Sequence, residues 1–254
     1  MNASTVVLQW HFTPPDYFEQ SITVSREDYT LVIDNGKVEA TVLAEVYDAA
    51  PSMHDELHGA LTARFLGAQL LSHSSFELSR PSMTRVRPDG GSDISVELEG
   101  EVIRTSLGVL DTQFQDQHGN IVSDSRRDRI EQRQSLAELI SAHSGDLLLT
   151  ALLASHRTSV RDPDNELVHL YEIRDALGAK FGGEMKTRNA LGIAGSQWSR
   201  LGQLCSDEPL RQGRHRGKKW TVLRDATHGE LEEARAIAHS MIEKYVQWLR
   251  STEA

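Results

Sequence analysis

In the first half of the chain, apolar residues recur at every second position. Within VEATVLAEV, the residues Val38, Ala40, Val42, Ala44 and Val46 share one face at period two. That alternation predicts a strand over 37–46. It is preceded by YTLVID (29–34) and by Asn35-Gly36, a pair that readily takes the positive φ angles of a type I′ turn. The two runs therefore predict a hairpin. DISVELEGEVIRT (93–105) alternates in the same way. VLDTQFQD (109–116) and NIVSDS (120–125) flank a second expected turn at His118-Gly119. One segment breaks the pattern. DELHGALTARFLGAQLLSH (55–73) puts Leu57, Leu61, Phe65, Ala68 and Leu71 at helical spacing, so a single helix is expected to pack on the sheet.

The period changes after residue 125. DSRRDRIEQRQS (124–135) is a dense mixture of charges, read as the solvated first turns of a helix and as the boundary between two domains. SLAELISAH (135–143) and GDLLLTALLASH (145–156) continue as helix. Asp162-Pro163 opens another over 165–181, because proline lacks an N–H where a helix has none to satisfy. Gly182-Gly183 ends it, glycine accepting the left-handed cap. Thr227 and Glu230 form a capping box before a long stripe of Leu231, Ala234, Ala238, Met241, Ile242, Tyr245 and Leu249. The expectation is an α+β protein of two domains. Residues 1–125 form an acidic, strand-rich domain and residues 126–254 an all-α domain.

Composition adds setting. With 39% apolar and 25% charged residues, the 254-residue chain has the balance of a soluble protein. No run nears the roughly 18 apolar residues that a membrane span requires. MNASTVVLQWHF has no basic region of the kind that opens a signal peptide. The lone Cys205 forbids an internal disulfide and a cysteine zinc cage. A cytoplasmic location is expected, with no membrane partner. Charge is unequally shared. Residues 1–125 carry seven basic against nineteen acidic side chains, and residues 126–254 carry twenty against eighteen.

The chemistry is sparse. There is no GxxxxGK[ST] loop, no GxSxG elbow, no HExxH and no EF-hand loop. His54 and His58 stand at i, i+4 but lack a carboxylate partner that the sequence identifies, and the other histidines are scattered. Neither a metal nor a cofactor is expected. Two segments stand out. LGIAGSQWSRL, within 188–204, resembles the turn and second helix of helix-turn-helix DNA-binding proteins. The resemblance implies that Ser196, Gln197, Ser199 and Arg200 face a groove, although Gly195 and Trp198 depart from the usual pattern. The other segment is PLRQGRHRGKKW. Between Arg211 and Lys219 it holds five positive side chains, one histidine, two glycines and no acid. Arg211, Arg214, Arg216, Lys218 and Lys219 suit phosphate oxygens, and the glycines let backbone approach. His215 titrates near neutrality, so an arginine–histidine pair suffices for metal-free RNA cleavage: the imidazole moves the 2′-hydroxyl proton and the guanidinium holds the growing charge.

A helical bundle, an arginine-and-histidine loop and a closing helix EARAIAHSMIEKYVQWL together resemble the HEPN superfamily of prokaryotic α-bundles. Many of these are ribonucleases of toxin–antitoxin and phage-defence systems. The resemblance covers roughly 150–250. It implies a homodimer, a preference for RNA over DNA, and metal-independent endonuclease chemistry on Arg211 or Arg214 with His215. The spacing departs from the family pattern, since three residues separate Arg211 from His215 where four to six are usual. Arg224 and His228 repeat the short spacing. Two other functions fit the same residues. One is a DNA-binding regulator reading through 188–204. The other is a non-enzymatic interaction protein whose basic loop docks on an acidic domain.

Overall fold

The computed structural model describes residues 4–50, 52–86, 92–95, 113–115, 121–214 and 222–252. Its N-terminal part is an antiparallel sheet and its C-terminal part is helical, an α+β arrangement. Two compact units divide the chain. The first comprises Met1–Thr62 with Phe76–Gln132, and the second Ala63–Ser75 with Arg133–Ala254. The sequence boundary near 125 thus meets a division that assigns 126–132 to the first unit and 63–75 to the second.

The first unit is built on β1 (Thr5–Thr13), β2 (Ile22–Ser25), β3 (Tyr29–Asp34), β4 (Lys37–Leu43), β5 (Glu77–Leu78), β6 (Ser82–Val86) and β7 (Ser92–Ser95). The described strands run in the order β2-β3-β4-β1-β6-β7, with β5 also on β1. Strand β1 is central. It pairs antiparallel with β4 (Leu8 opposite Ala40) and with β6 (Leu8 opposite Met83). Val6, Leu8, Trp10 and Phe12 point inward at period two and are buried. Asn35 and Gly36 both have positive φ, 41° and 79°, as a type I′ turn demands. A Cβ on Gly36 would lie 3.1 Å from Pro15, so the turn also needs glycine for space.

Strand β4 is shorter than the alternation predicted. It stops at Leu43, and α1 (Ala44–Ala49) follows. Ala44, the first residue of α1, is buried as the alternation predicts, so period two alone could not mark where strand gave way to helix. The first unit therefore holds α1 as well as the start of the expected helix, α2 (Met53–Ser72), whose residues from Ala63 onward belong to the second unit. Of 93–105, residues 93–95 belong to β7, and 96–105 lie outside the described residues. Strands β8 (Gln113–Gln115) and β9 (Ile121–Asp124) pair antiparallel, and the turn expected at His118-Gly119 lies outside the described residues.

The second unit gathers α3 (Ser125–Ala142), α4 (Leu147–Arg161), α5 (Glu166–Phe181), α6 (Glu184–Leu191), α7 (Gly195–Gly202) and α8 (His228–Thr252), the first of these from Arg133 onward. A single 3-10 turn, Pro163–Asn165, precedes α5, and a π turn, Gln203–Asp207, extends α7. Helix α5 buries Leu167, Leu170, Ile173 and Leu177 completely, a three-and-four spacing that keeps one stripe against α4 and α8. Gly182 ends it in the left-handed region at φ 77°. Asp146 caps α4 by accepting from Leu149 N at 2.7 Å, and the same carboxylate accepts from Tyr245 on α8 at 3.1 Å. The capping box of α8 is reciprocal. Glu230 accepts from Thr227 N at 2.8 Å, and the Thr227 hydroxyl accepts from Glu230 N at 3.3 Å. No described helix is long and apolar enough to cross a membrane.

Candidate nucleic-acid interface

Two charged sites lie in the helical unit. One is closed over its charges, and the other surrounds the root of the basic loop.

The closed site joins helices. Glu166, at the start of α5, is 2% exposed, and Arg235 of α8 grips it with both prongs, its Nη2 at 2.8 Å. His73, just beyond α2, sets its Nε2 3.5 Å from the same carboxylate, and its ring meets the ring of His156 edge-on at 5.4 Å. Burial keeps these imidazoles neutral. It pulls His73 down to about 4, helped by the nearby Arg235 charge, and His156 down to about 3. His239, one helical turn from Arg235, is lowered for the same reason. Nothing in the sequence reading singled out this group, although Arg235 and His239 at i, i+4 signal a shared face. Among the described residues no group of three His, Cys, Asp or Glu side chains is placed to hold a metal ion. His58, one of the pair considered for that role, instead accepts from the Trp10 indole at 3.1 Å.

The second site is built on α5 and α7. Tyr171, Arg174 and Asp175 occupy one side of α5 because they are three and four residues apart. Trp198 of α7 is 3% exposed and lies against Gly178 of α5, so it is a core plug. The Arg174 guanidinium lies over the Trp198 ring at 4.9 Å and over the Tyr171 ring at 5.1 Å. It also rests on the backbone of α7. A Cβ on Gly202 would come within 2.5 Å of its Nη1, so glycine there makes the room. Arg174 forms no ion pair among the described residues, and its buried Nε–H has no acceptor. The buried Trp198 Nε1–H lacks one too. A buried donor without a partner costs about 1–3 kcal/mol.

The loop springs from this surface. The π turn frees the Cys205 carbonyl, which accepts from Arg214 N at 2.8 Å. Leu210 bridges to Arg224, with Arg211 N donating to Arg224 O and Arg224 N to Pro209 O, both at 3.0 Å. The Gln212 side chain accepts from Ala226 N, also at 3.0 Å. Chain entry and exit are thereby fixed side by side. Arg214 stacks on Tyr171 at 4.2 Å and pairs with Asp175 at 2.9 Å. Arg211 is 62% exposed, with Leu223 O at 3.5 Å and Asp225 only at 3.9 Å. Cys205, under the loop, is buried, which pushes its thiol up to about 12 despite the two nearby guanidinium charges.

The expected site residues therefore separate. Arg211 and Arg214 stand together at the loop root. His215, Arg216, Lys218 and Lys219 lie outside the described residues. Gln197 is half-buried on α7, and Ser196 and Ser199 are exposed. Arg200 is held by Glu233 of α8 through a fork at 2.8–3.1 Å, which raises the pKa of the arginine and lowers that of the acid. Arg224 forks onto Glu230 at 2.6 and 2.7 Å. That contact, ahead of the Thr227 backbone bond, draws the carboxyl down to about 2. His228 is an exposed helix residue beside Glu232. Arg174 was not anticipated; its spacing from Tyr171 on α5 was the available signal. Comparison with family models, curated proteins and solved structures returns no match for this chain.

Proposed function

We propose that the helical unit binds RNA through the loop 211–219, as a HEPN-like module of a prokaryotic defence or toxin-type system acting in the cytoplasm. The supporting observation is the charge balance at the loop root. Acids engage Arg200, Arg214 and Arg224, while Arg211 stays mostly exposed. The next five positions then add Arg216, Lys218, Lys219 and His215 and no acid. A stem closed by backbone bonds and followed by a run of cations without an acid suits a phosphate backbone, because a concentrated positive field attracts phosphates. On this reading Arg211 and the loop cations hold phosphates. Arg214, held in place by Asp175 and Tyr171, adds a fixed cation at the loop root. If the module cleaves, His215 moves the proton of the 2′-hydroxyl without a metal, and a homodimer brings two loops together.

The DNA-reading alternative places Gln197 and Arg200 on bases. The Glu233 fork occupies the donors that Arg200 would need for a guanine edge, which favours the RNA reading. The test is binding of the full chain to single-stranded RNA, tRNA and duplex DNA across a salt series. RNA preference with a steep salt slope, and loss of any cleavage in His215→Ala, are expected. Duplex preference, or no binding at low salt, would overturn the proposal.

A further inference from the structure

We infer that Arg174, with Tyr171 and Arg214, forms a phosphate subsite at the root of the basic loop. The inference rests on the proposed RNA reading and extends it to residues outside the loop. Three observations carry it. First, two guanidinium groups share one tyrosine ring, at 5.1 and 4.2 Å from its centre, but only one has an acid. Arg214 has a part-exposed pair with Asp175, whereas Arg174 pairs with no carboxylate among the described residues. The two charges lie within roughly a Debye length of about 10 Å at 0.1 M salt, so a bound anion feels both.

Second, the site is shaped to hold the guanidinium still. Trp198 and Tyr171 give it aromatic faces, and Gly202 leaves room that a methyl group would close. A planar fork fixed in advance binds a tetrahedral anion with little ordering left to do. Third, Arg174 is only partly buried and its enclosed Nε–H has no acceptor, so the rings and not a protein hydrogen bond hold the fork, and its Nη groups are what an anion would meet. An arrangement whose only purpose was packing would be served by a neutral side chain of similar length. In sequence, Arg214 is followed directly by His215 and Arg216, so the subsite adjoins the rest of the basic run.

The test uses the full chain, with Arg174→Met and Gly202→Ala as variants. The second keeps the charge but pushes the fork aside, and alanine favours a helix over glycine, so the fold is retained. Affinity for a single-stranded RNA oligomer is measured against salt, and melting is followed separately. Arg174→Met is expected to bind about tenfold more weakly at low salt, the scale of one charge-assisted contact. Its slope in log salt should be shallower by about 0.7, the value for one single-strand phosphate. Gly202→Ala should weaken binding without lowering the melting temperature.

If wild type binds RNA and neither variant changes affinity or slope, the subsite is overturned and the RNA reading stands. A lower melting temperature in Arg174→Met with wild-type slope, and wild-type binding by Gly202→Ala, would likewise reduce Arg174 to a packing residue. If wild type binds no RNA, the RNA reading fails, and inorganic pyrophosphate decides the subsite. Stabilisation of wild type by pyrophosphate, lost in the variants, supports it. No stabilisation of wild type overturns it.

Discussion

The Glu166–Arg235 site and the Arg174–Tyr171–Arg214 site use similar residues in opposite ways. In the first, a buried acid is matched by a bidentate arginine, and the surrounding histidines are held neutral, so the charges close on one another. In the second, two guanidinium groups share one tyrosine ring but only Arg214 has an acid, and Arg174 is left over. A closed pair ties helices together and offers nothing to a ligand. An open one sacrifices local stability and leaves a positive charge without an acid. The contrast separates residues whose loss should unfold the protein from residues whose loss should unseat a ligand.

Breaking the closed pair should have the largest effect. Arg235→Met leaves Glu166 buried beside His73 alone, and is expected to cost about 3–5 kcal/mol in urea unfolding. Removing Arg214, whose pair with Asp175 is largely solvated, should cost no more than about 1 kcal/mol. Comparable costs at both positions would erase the distinction.

Next comes pH. His73 and His156 are held neutral when folded, at about 4 and about 3, but take up protons near 6.5 when unfolded. Between these values the unfolded state binds more protons. Stability is therefore complete above pH 6.5 and falls as pH drops towards 4, at up to about 1.4 kcal/mol per unit for each histidine. His156→Leu should flatten the slope of unfolding free energy against pH by about one proton; an unchanged slope would remove His156 from the account. Glu230 acts in a lower window. Its depressed carboxyl contributes above 4.5 and is lost as pH falls through about 2.

Smaller still is the helix cap. Thr227→Ala should lower stability by about 1 kcal/mol, without altering RNA affinity. The smallest signal is chemical. Cys205, buried with its thiol near 12, should resist a thiol reagent until the chain unfolds; rapid labelling of the native protein would mean the loop root opens.

Much of the fold was legible because it rests on local rules. The Asn35-Gly36 turn, the Gly182 stop and the Thr227–Glu230 box are short-range geometries, and each is present. The central strand β1 carries the same period-two signal in Val6, Leu8, Trp10 and Phe12, all buried, although no strand was expected there. The site was less legible. Arg211 and Arg214 stand out by charge density, but a charge run does not say which cations are already paired. Arg214 meets Asp175 across 39 positions, and Arg200 meets Glu233 across 33.

The sequence by itself determined the two periodicities, the caps and turns that bound the elements, and the excess of positive charge between Arg211 and Lys219. These depend on neighbours within a few residues, where backbone geometry fixes the contacts. Only the tertiary structure decided which charges cancel. Pairing Glu166 with Arg235, or leaving Arg174 between Tyr171 and Trp198 without an acid, depends on helices distant in sequence coming to lie side by side. No local pattern records that distance.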